Sequence, residues 1–511
     1  MPNTPQAIAV LDFGTGGGKC ALFDETGHCL AIVREAWTFE PVHHEYSALA
    51  DGWGFDPDNF WKVFVRCTRR AREAAGLPPR AIRAITTSAQ RLGTVLLDPR
   101  GREVLCAPNL DCGGLAGGFE ILDRLGPDRG GTITGHWPPW VWSLSRLLTF
   151  RRKHPETPVA HVLTPLDWMV FRLCGEIAGE PSNQAATGLL DIRNRSWSEE
   201  ILSLFEIRKD LLPALLPAGS RIGGLSPAVA AELGLEPGTP VHIGGADSQC
   251  ALLGSGVLSP GSHGAVLGTT APLMRVDAAA APHGADSPLW TGLHVVPGAW
   301  VRESNAGDCG FLWEWMLDLT GFERPAGFET AEQLLGAATL APSSFVGFAG
   351  PRAFGPASTN PDRPLGFAYR RASTGIRPGR SALLQSFQDN LAFALRINLE
   401  QLATDGTQPM ASTLTLSGGL VRSESLLRTL AAALPLTLLV GEEPNATPLG
   451  AAVLTATAAG LHGSLDAAVK AMVRTRPLGT PAADLKQAYD AAYSLWSQFD
   501  ASVNPLSLRA P

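Results

Sequence analysis

An apolar run closed by a glycine–threonine turn occurs twice in this chain. Ala7-Ile-Ala-Val-Leu11 leads into Asp12-Phe-Gly14-Thr15, and Ala265-Val-Leu267 leads into Gly268-Thr269-Thr270, roughly 250 residues later. A short apolar run bounded by glycine reads as a buried strand ending in a tight turn. After the first turn come a second run, Cys20–Phe23, and a third, Cys29–Val33, joined through Asp24-Glu-Thr-Gly27. The spacing predicts a helix from Asn59 to Ala75, stopped by Gly76 and Pro78, and then a strand over Ile82–Thr86. A strand is expected at Val241–Ile243, ended by Gly244-Gly245. Further on, the pattern predicts a helix from about Ser381 to Leu402, a strand over Leu414–Leu416 and a small-residue helix from Gly450. Strands alternating with helices imply a layered α/β fold. The repeat makes two comparable halves the simplest organisation, 1–245 and 246–511.

Composition removes several classes. With 45% hydrophobic and 17% charged residues, the chain is neither disordered nor a long coiled coil. Lys plus Arg number 41 against 48 Asp plus Glu, so no basic excess is available to neutralise nucleic-acid phosphates. The eight cysteines are scattered without C-x-x-C spacing, which points to reduced thiols rather than disulfides or zinc. The longest uncharged stretch, Ser248 to Met274, is broken by Gly, Ser, Pro260 and His263 and does not read as a membrane helix. The apolar run near the start ends at Asp12 and has no basic segment before it. A cytoplasmic protein without nucleic-acid or membrane partners is expected.

The first turn fails two familiar patterns. Phe13 stands where a Walker A loop needs Gly, and Lys19 stands where the dinucleotide fingerprint needs its third Gly. What remains is a glycine-rich turn with an acid before it and a cation after it. Its backbone N–H groups can face phosphate, Lys19 adds charge, and Asp12 can hold Mg²⁺ directly or through water. An ordinary hairpin explains the turn equally well. The Gly268-Thr269-Thr270 turn is weak alone, but the pair suggests a nucleotide held between two halves. Asp247 follows an apolar strand and two glycines, at the strand end where α/β sites lie. It can take a proton from an attacking hydroxyl, or simply cap a helix. Gln90, Arg91, Asn109 and Asp111 follow apolar stretches and can hydrogen-bond a polar ligand or serve as loop polarity. Gly418, Gly419 and Ser423 lie in a strand-to-helix turn. Trp137, Trp140 and Trp142 fit core filling better than a stacking platform.

Taken in order, Asp12-Phe-Gly-Thr15 to Lys19, Gly244-Gly-Ala-Asp247, Leu267-Gly-Thr269, Ser417-Gly-Gly419 and Thr447 to Gly450-Ala-Ala452 resemble the FGGY carbohydrate kinases. Asp167-Trp168 and Asn183 through Asp191 to Trp197 extend the resemblance over nearly the whole chain. It implies two actin-like (ribonuclease-H-like) domains around a central cleft. It implies ATP, Mg²⁺ and a phosphoryl group passed to a sugar hydroxyl. By the match, Asp247 looks like the catalytic base and a substrate contact. Asp12 (with Mg²⁺), Gly14, Thr15 and Lys19 look like one phosphate loop, and Gly268, Thr269 and Thr270 like the other. Gly418, Gly419 and Ser423 lie where the family binds adenosine. Gln90, Arg91, Asn109 and Asp111 lie where it binds sugar. Leu92 replaces the acid with which glycerol kinases hold glycerol, so glycerol is disfavoured. Xylulose kinases carry Met-His where this chain has Arg91-Leu92; the other substrate loops look closest to autoinducer-2 kinases, with a pentulose kinase fitting almost as well, which implies a small open-chain ketose or a related polyhydroxy compound as acceptor. Dimers are common in the family, so a homodimer is expected. The rival reading is a non-catalytic sugar or nucleotide sensor on the same fold. Loss of an acid at position 12 or 247 would mark it, and both acids are present.

Overall fold

Strand β1 (Ala7–Gly14) alternates between two apolar faces. Ala7, Ala9, Leu11 and Phe13 enter one core, and Ile8 and Val10 enter another. A strand buried on both faces needs a cover on each. In the computed structural model one cover is helix α1 (Pro57–Ala74), which turns Phe60, Trp61, Phe64, Cys67 and Ala71 to the sheet and is capped by Asp56. The other is helix α5 (Ala446–Ala458), whose Leu449, Ala452 and Val453 share a core with Ile8 and Val10. The structure describes residues 6–281, 284, 287–323, 326–348, 350–353, 365–369, 378–403 and 412–503.

The first half is built on strands β1, β2 (Gly17–Phe23), β3 (Cys29–Ala36), β4 (Ile82–Ala89), β5 (Arg221–Gly224) and β6 (Pro240–Ala246), in the order β5-β6-β4-β1-β2-β3. The second uses β7 (His263–Val266), β8 (Thr270–Asp277), β9 (Trp290–Leu293), β10 (Trp300–Asp308), β11 (Thr413–Ser417), β12 (Thr437–Gly441) and β13 (Thr475–Pro477), in the order β9-β10-β8-β7-β11-β12-β13. Apart from β9, the two sheets match strand for strand. β1 runs antiparallel to β2 and parallel to β4, as β7 does to β8 and β11. β6 lies parallel to β4, as β12 does to β11. This duplicated mixed sheet is the expected pair of actin-like domains. The two glycine–threonine turns join equivalent strands, β1 to β2 and β7 to β8.

Helix α2 (Asp247–Gly254) follows β6. The remaining labelled helices are α3 (Arg380–Ala403), α4 (Glu424–Ala433), α5 (Ala446–Ala458), which follows β12, and α6 (Ala483–Val503). α2 and α5 are therefore counterparts, and they cross each other between the sheets. A Cβ on Gly450 would lie 1.9 Å from the Cys250 carbonyl oxygen, and one on Gly254 would lie 2.0 Å from that of Ala446. The helices touch backbone to backbone, which only glycine permits.

The expected elements fall within a few residues of those observed, with one informative difference. Gly244-Gly245 reads as a stop, yet β6 continues through both to Ala246, with a register shift against β4. A Cβ on Gly244 would lie 1.8 Å from the Thr87 carbonyl oxygen, so glycine here permits close strand approach rather than a turn. The insertion between β4 and β5 builds its own core around Leu96, Trp142, Leu144 and Trp197. Trp142 is fully buried there, edge-on to Trp137 at 5.7 Å, as core filling requires. All eight cysteines are unpaired. Among the described residues no helix is long and apolar enough to cross a membrane.

Candidate active site

Three parallel strands, β1, β4 and β6, end side by side. Asp12 is in register with Ser88, and Ser88 with Gly245. Whatever follows each strand therefore arrives at one edge of the sheet: Asp12 to Thr15 from β1, Gln90 and Arg91 from β4, and Asp247 from β6. Pleat parity also aims Asp12. It shares the face of Ile8 and Val10, the side on which α2 and α5 lie. Its cross-strand partner Lys19 shares that face, and the two pair at 2.8 Å. Asp12 is 3% exposed, and its Oδ1 is buried without a protein partner.

Next to this pair, the Thr15 hydroxyl donates to Gln90 Oε1 at 3.0 Å and accepts from Asn109 Nδ2 at 3.0 Å. Gln90 Nε2, Asn109 Oδ1, Asn183 Oδ1 and Gln249 Oε1 are buried without protein partners. Leaving such groups unpaired is costly, so a ligand that both donates and accepts hydrogen bonds suits them. Arg91 turns its guanidinium onto Glu303 of β10, with Nη1 at 2.7 Å from Oε2 and Nη2 at 3.0 Å from Oε1. His136 lies by this pair. Burial first, and then the Arg91 charge, lower its ring to about 4, and Nδ1 donates to the Thr134 carbonyl at 3.1 Å. The imidazole is therefore neutral.

Asp247 opens α2, and the N-cap position belongs to Ala246, so the carboxylate is not a cap. Its Oδ1 accepts from Ser248 N at 2.7 Å. Its main chain is held from both halves. Ser182 Oγ accepts from Ala246 N at 3.0 Å and donates to Glu180 at 2.5 Å, while Thr447 Oγ1 donates to the Asp247 carbonyl at 3.2 Å. Burial raises the Asp247 carboxyl to about 6, Arg91 pulling it down and Asp12 pushing it up. A base must be ionised, and protonation grows as pH falls. The acid limb of kcat/KM is thus expected near pH 6, and a pH–rate profile flat from pH 5 to 8 would remove Asp247 as the base.

From the second sheet, the Gly268–Thr270 turn is held by Cys309 N on the Thr269 carbonyl at 2.8 Å and Gly310 N on the Gly268 carbonyl at 2.9 Å. Beside it runs the Gly418-Gly419 turn, with Leu267 N donating to the Ser417 carbonyl at 2.7 Å. A side chain on Gly419 would meet nothing within 4 Å, so this backbone faces open space. Ser423 caps α4 through Leu426 N at 3.2 Å and donates to Glu332 at 2.7 Å. The Asp111 carboxylate is taken up by groups of the protein. It accepts from Arg146 Nε at 2.8 Å, Trp53 N at 2.9 Å and Gly113 N at 2.8 Å, which anchors the loop bearing Asn109. Sequence reasoning missed Glu303, His136 and Gln249. Gln249 stands two residues after Asp247 in a motif already singled out. Glu303 carries no local signal, because its partner is 212 positions away.

The family model for the N-terminal domain of the FGGY family of carbohydrate kinases matches residues 7–254, and that for the C-terminal domain matches 264–459. An autoinducer-2 kinase of Yersinia enterocolitica is 28% identical over 513 aligned positions, covering 96% of this chain and 93% of the relative. The crystal structure of a xylulose kinase from Brucella ovis superposes with a TM-score of 0.80 at 25% identity, covering 97% of this chain and 99% of that one. Plasmodium falciparum glycerol kinase with ADP shares the fold, with a TM-score of 0.80 at 17% identity and 99% coverage of both chains.

Proposed function

The chain belongs to the FGGY family of carbohydrate kinases, and from that premise we propose that it passes the γ-phosphoryl group of ATP to a hydroxyl of a small open-chain ketose or related polyhydroxy compound. The acceptor resembles those of xylulose kinases and autoinducer-2 kinases. The observation that carries this reading is Asp247, a carboxylate with a raised pKa at the meeting of three strand ends, facing Arg91 and Asp12. We also propose the domain division at 245/246, where β6 gives way to α2.

In this reading the acceptor hydroxyl lies against Asp247, which orients it and takes its proton as the phosphorus–oxygen bond forms. The orphaned amides of Gln90, Asn109, Asn183 and Gln249 supply the donors and acceptors that a polyol needs. The Gly14–Lys19 and Gly268–Thr270 turns cradle the phosphates with backbone N–H groups, and Gly418, Gly419 and Ser423 border the adenosine end. Phosphoryl transfer asks the protein mainly for position and charge neutralisation. Mg²⁺ when bound supplies neutralisation of phosphate charge. Among the described residues no group of three or more His, Cys, Asp or Glu could cage a metal. One carboxylate plus phosphate oxygens suffices for Mg²⁺, and the unpartnered Oδ1 of Asp12 fits that role.

The test is ADP release from Mg·ATP with D- and L-xylulose, D- and L-ribulose, glycerol, erythritol and linear dihydroxy-pentanedione. One ketose or its relative should raise the rate far above the acceptor-free rate, with glycerol a poor substrate. If nucleotide binds and no acceptor raises the rate, the sensor reading replaces the kinase reading for this panel.

A further inference from the structure

Arg91 brings a buried guanidinium to the end of the site where Asp247 lies. Such a fork pairs bidentately with carboxylates and phosphates, and unpaired it would make the pocket a receptor for acids. In this chain the fork is already taken. Both terminal nitrogens bond the two oxygens of Glu303, and the side chains are only 12% and 3% exposed. The other cation nearby, Lys19, is held by Asp12 at 2.8 Å. The neighbouring imidazole, His136, donates through Nδ1 to a carbonyl and keeps only an acceptor at Nε2. The remaining N–H groups of Arg91 can still donate to a hydroxyl or a ketone, whereas an anion would meet the Glu303 carboxylate.

We propose that Glu303 sets acceptor specificity by cancelling the charge of Arg91, so that the site takes uncharged polyhydroxy compounds and rejects polyhydroxy acids. This rests on the reading that the acceptor lies at Asp247. Glu303 comes from β10 of the second half and Arg91 from the end of β4 in the first, so the selection depends on both halves.

The experiment compares D-xylulose with D-xylonate and D-gluconate on full-length protein, by steady-state kinetics and by calorimetric binding. Glu303→Gln keeps the shape and removes the charge. It should shift the neutral-to-acid ratio of kcat/KM by about 10²-fold toward the acids, chiefly through acid binding, with ATP affinity unchanged. Glu303→Asp, which keeps the charge, should retain rejection of acids. The double variant Arg91→Gln/Glu303→Gln, which removes both charges, should return the ratio toward the wild-type value. A packing role would not produce that reversal. A ratio that stays within threefold in folded Glu303→Gln overturns the proposal. Breaking a buried pair can unfold a protein, so the wild type supplies an independent check. It must bind xylonate at least about 10²-fold more weakly than xylulose, and equal binding overturns the proposal without any variant. If no sugar of either class is phosphorylated while Glu303→Gln still gains acid binding, the kinase acceptor reading falls and the charge assignment stands.

Discussion

Asp247→Asn lowers kcat by about 10³-fold, within the range expected for removing a positioned base, and leaves the dissociation constant for ATP nearly unchanged. In the proposed mechanism the loss falls on kcat, because the carboxylate meets the reacting hydroxyl and not the phosphate loops. The same variant should be more stable than the wild type at pH 8. The folded carboxyl has risen from its ordinary 3.8 to about 6, chiefly by burial. A raised carboxyl favours folding below its unfolded pKa, and that contribution is lost as pH climbs through about 6. Above pH 6 the ionised group therefore destabilises the fold, by about 1–2 kcal/mol once partial exposure is allowed for. Asparagine has no such penalty, so its Tm should exceed the wild-type value at pH 8 and match it near pH 4. Melting curves at the two pH values, taken beside ADP-release assays, separate a catalytic defect from misfolding. Wild-type turnover in this variant would end the assignment of Asp247 as base. A lower Tm at pH 8 would show that the carboxylate is not a buried charge.

Gly450→Val destabilises the protein by about 3 kcal/mol or more, at or beyond the upper end for overpacking. Small-to-large changes usually displace side chains, which can turn to another rotamer. Here the new Cβ would start 1.9 Å from the Cys250 carbonyl oxygen, and neither main chain can turn away. α2 and α5 must separate instead. α5 is held on its other side by Ile8, Val10, Ala21 and Phe23 of the first sheet, in the same core as Cys250, Leu253, Leu449 and Val453. Relief at the crossing therefore opens that core. The expected fall in Tm is about 6–10 °C, with a drop in kcat because Asp247 rides on α2. Valine at the exposed Gly463, where an added Cβ meets nothing within 4 Å, is the control and should change Tm little. A Tm within 2 °C of wild type for Gly450→Val would mean that the helices do not cross as described.

The residues legible in the sequence share one property: each lies within a few positions of the end of an apolar run. Asp12, Thr15, Gln90 and Asp247 stand out because a polar group at the end of a buried strand must emerge at the sheet edge, and parallel strands bring those edges together. The second half of the fold was legible for the same reason, since β7 and its turn repeat the pattern of β1. What was hidden depends on partners far along the chain. Glu303 sits inside β10, where nothing local marks it, and acquires its meaning from Arg91. Asp111 has nearly the same side-chain size and the same loop setting as Asn109, yet Arg146 claims its carboxylate. Gly244 and Gly245 misled in the opposite direction. Glycine marks both the end of a strand and the place where two strands crowd together, and only the neighbour, Thr87, distinguishes the two.

The meeting of α2 and α5 has a mechanical consequence. Helices that interlock side chains resist twisting, because every knob must leave its hole. At Gly254 and Gly450 the two helices touch through bare main chain, with Cys250, Leu253, Leu449 and Val453 packed in one core around that point, so rotation about it displaces the fewest side chains while sliding drives each backbone into a carbonyl oxygen. The contact behaves as a rivet, and the two sheets as scissor blades about it. Asp247 is seven residues from Gly254, roughly 10 Å along the helix axis. Points near a pivot travel least. The far rims can swing wide to admit a sugar and a nucleotide, while the carboxylate proposed to meet the hydroxyl hardly changes its aim.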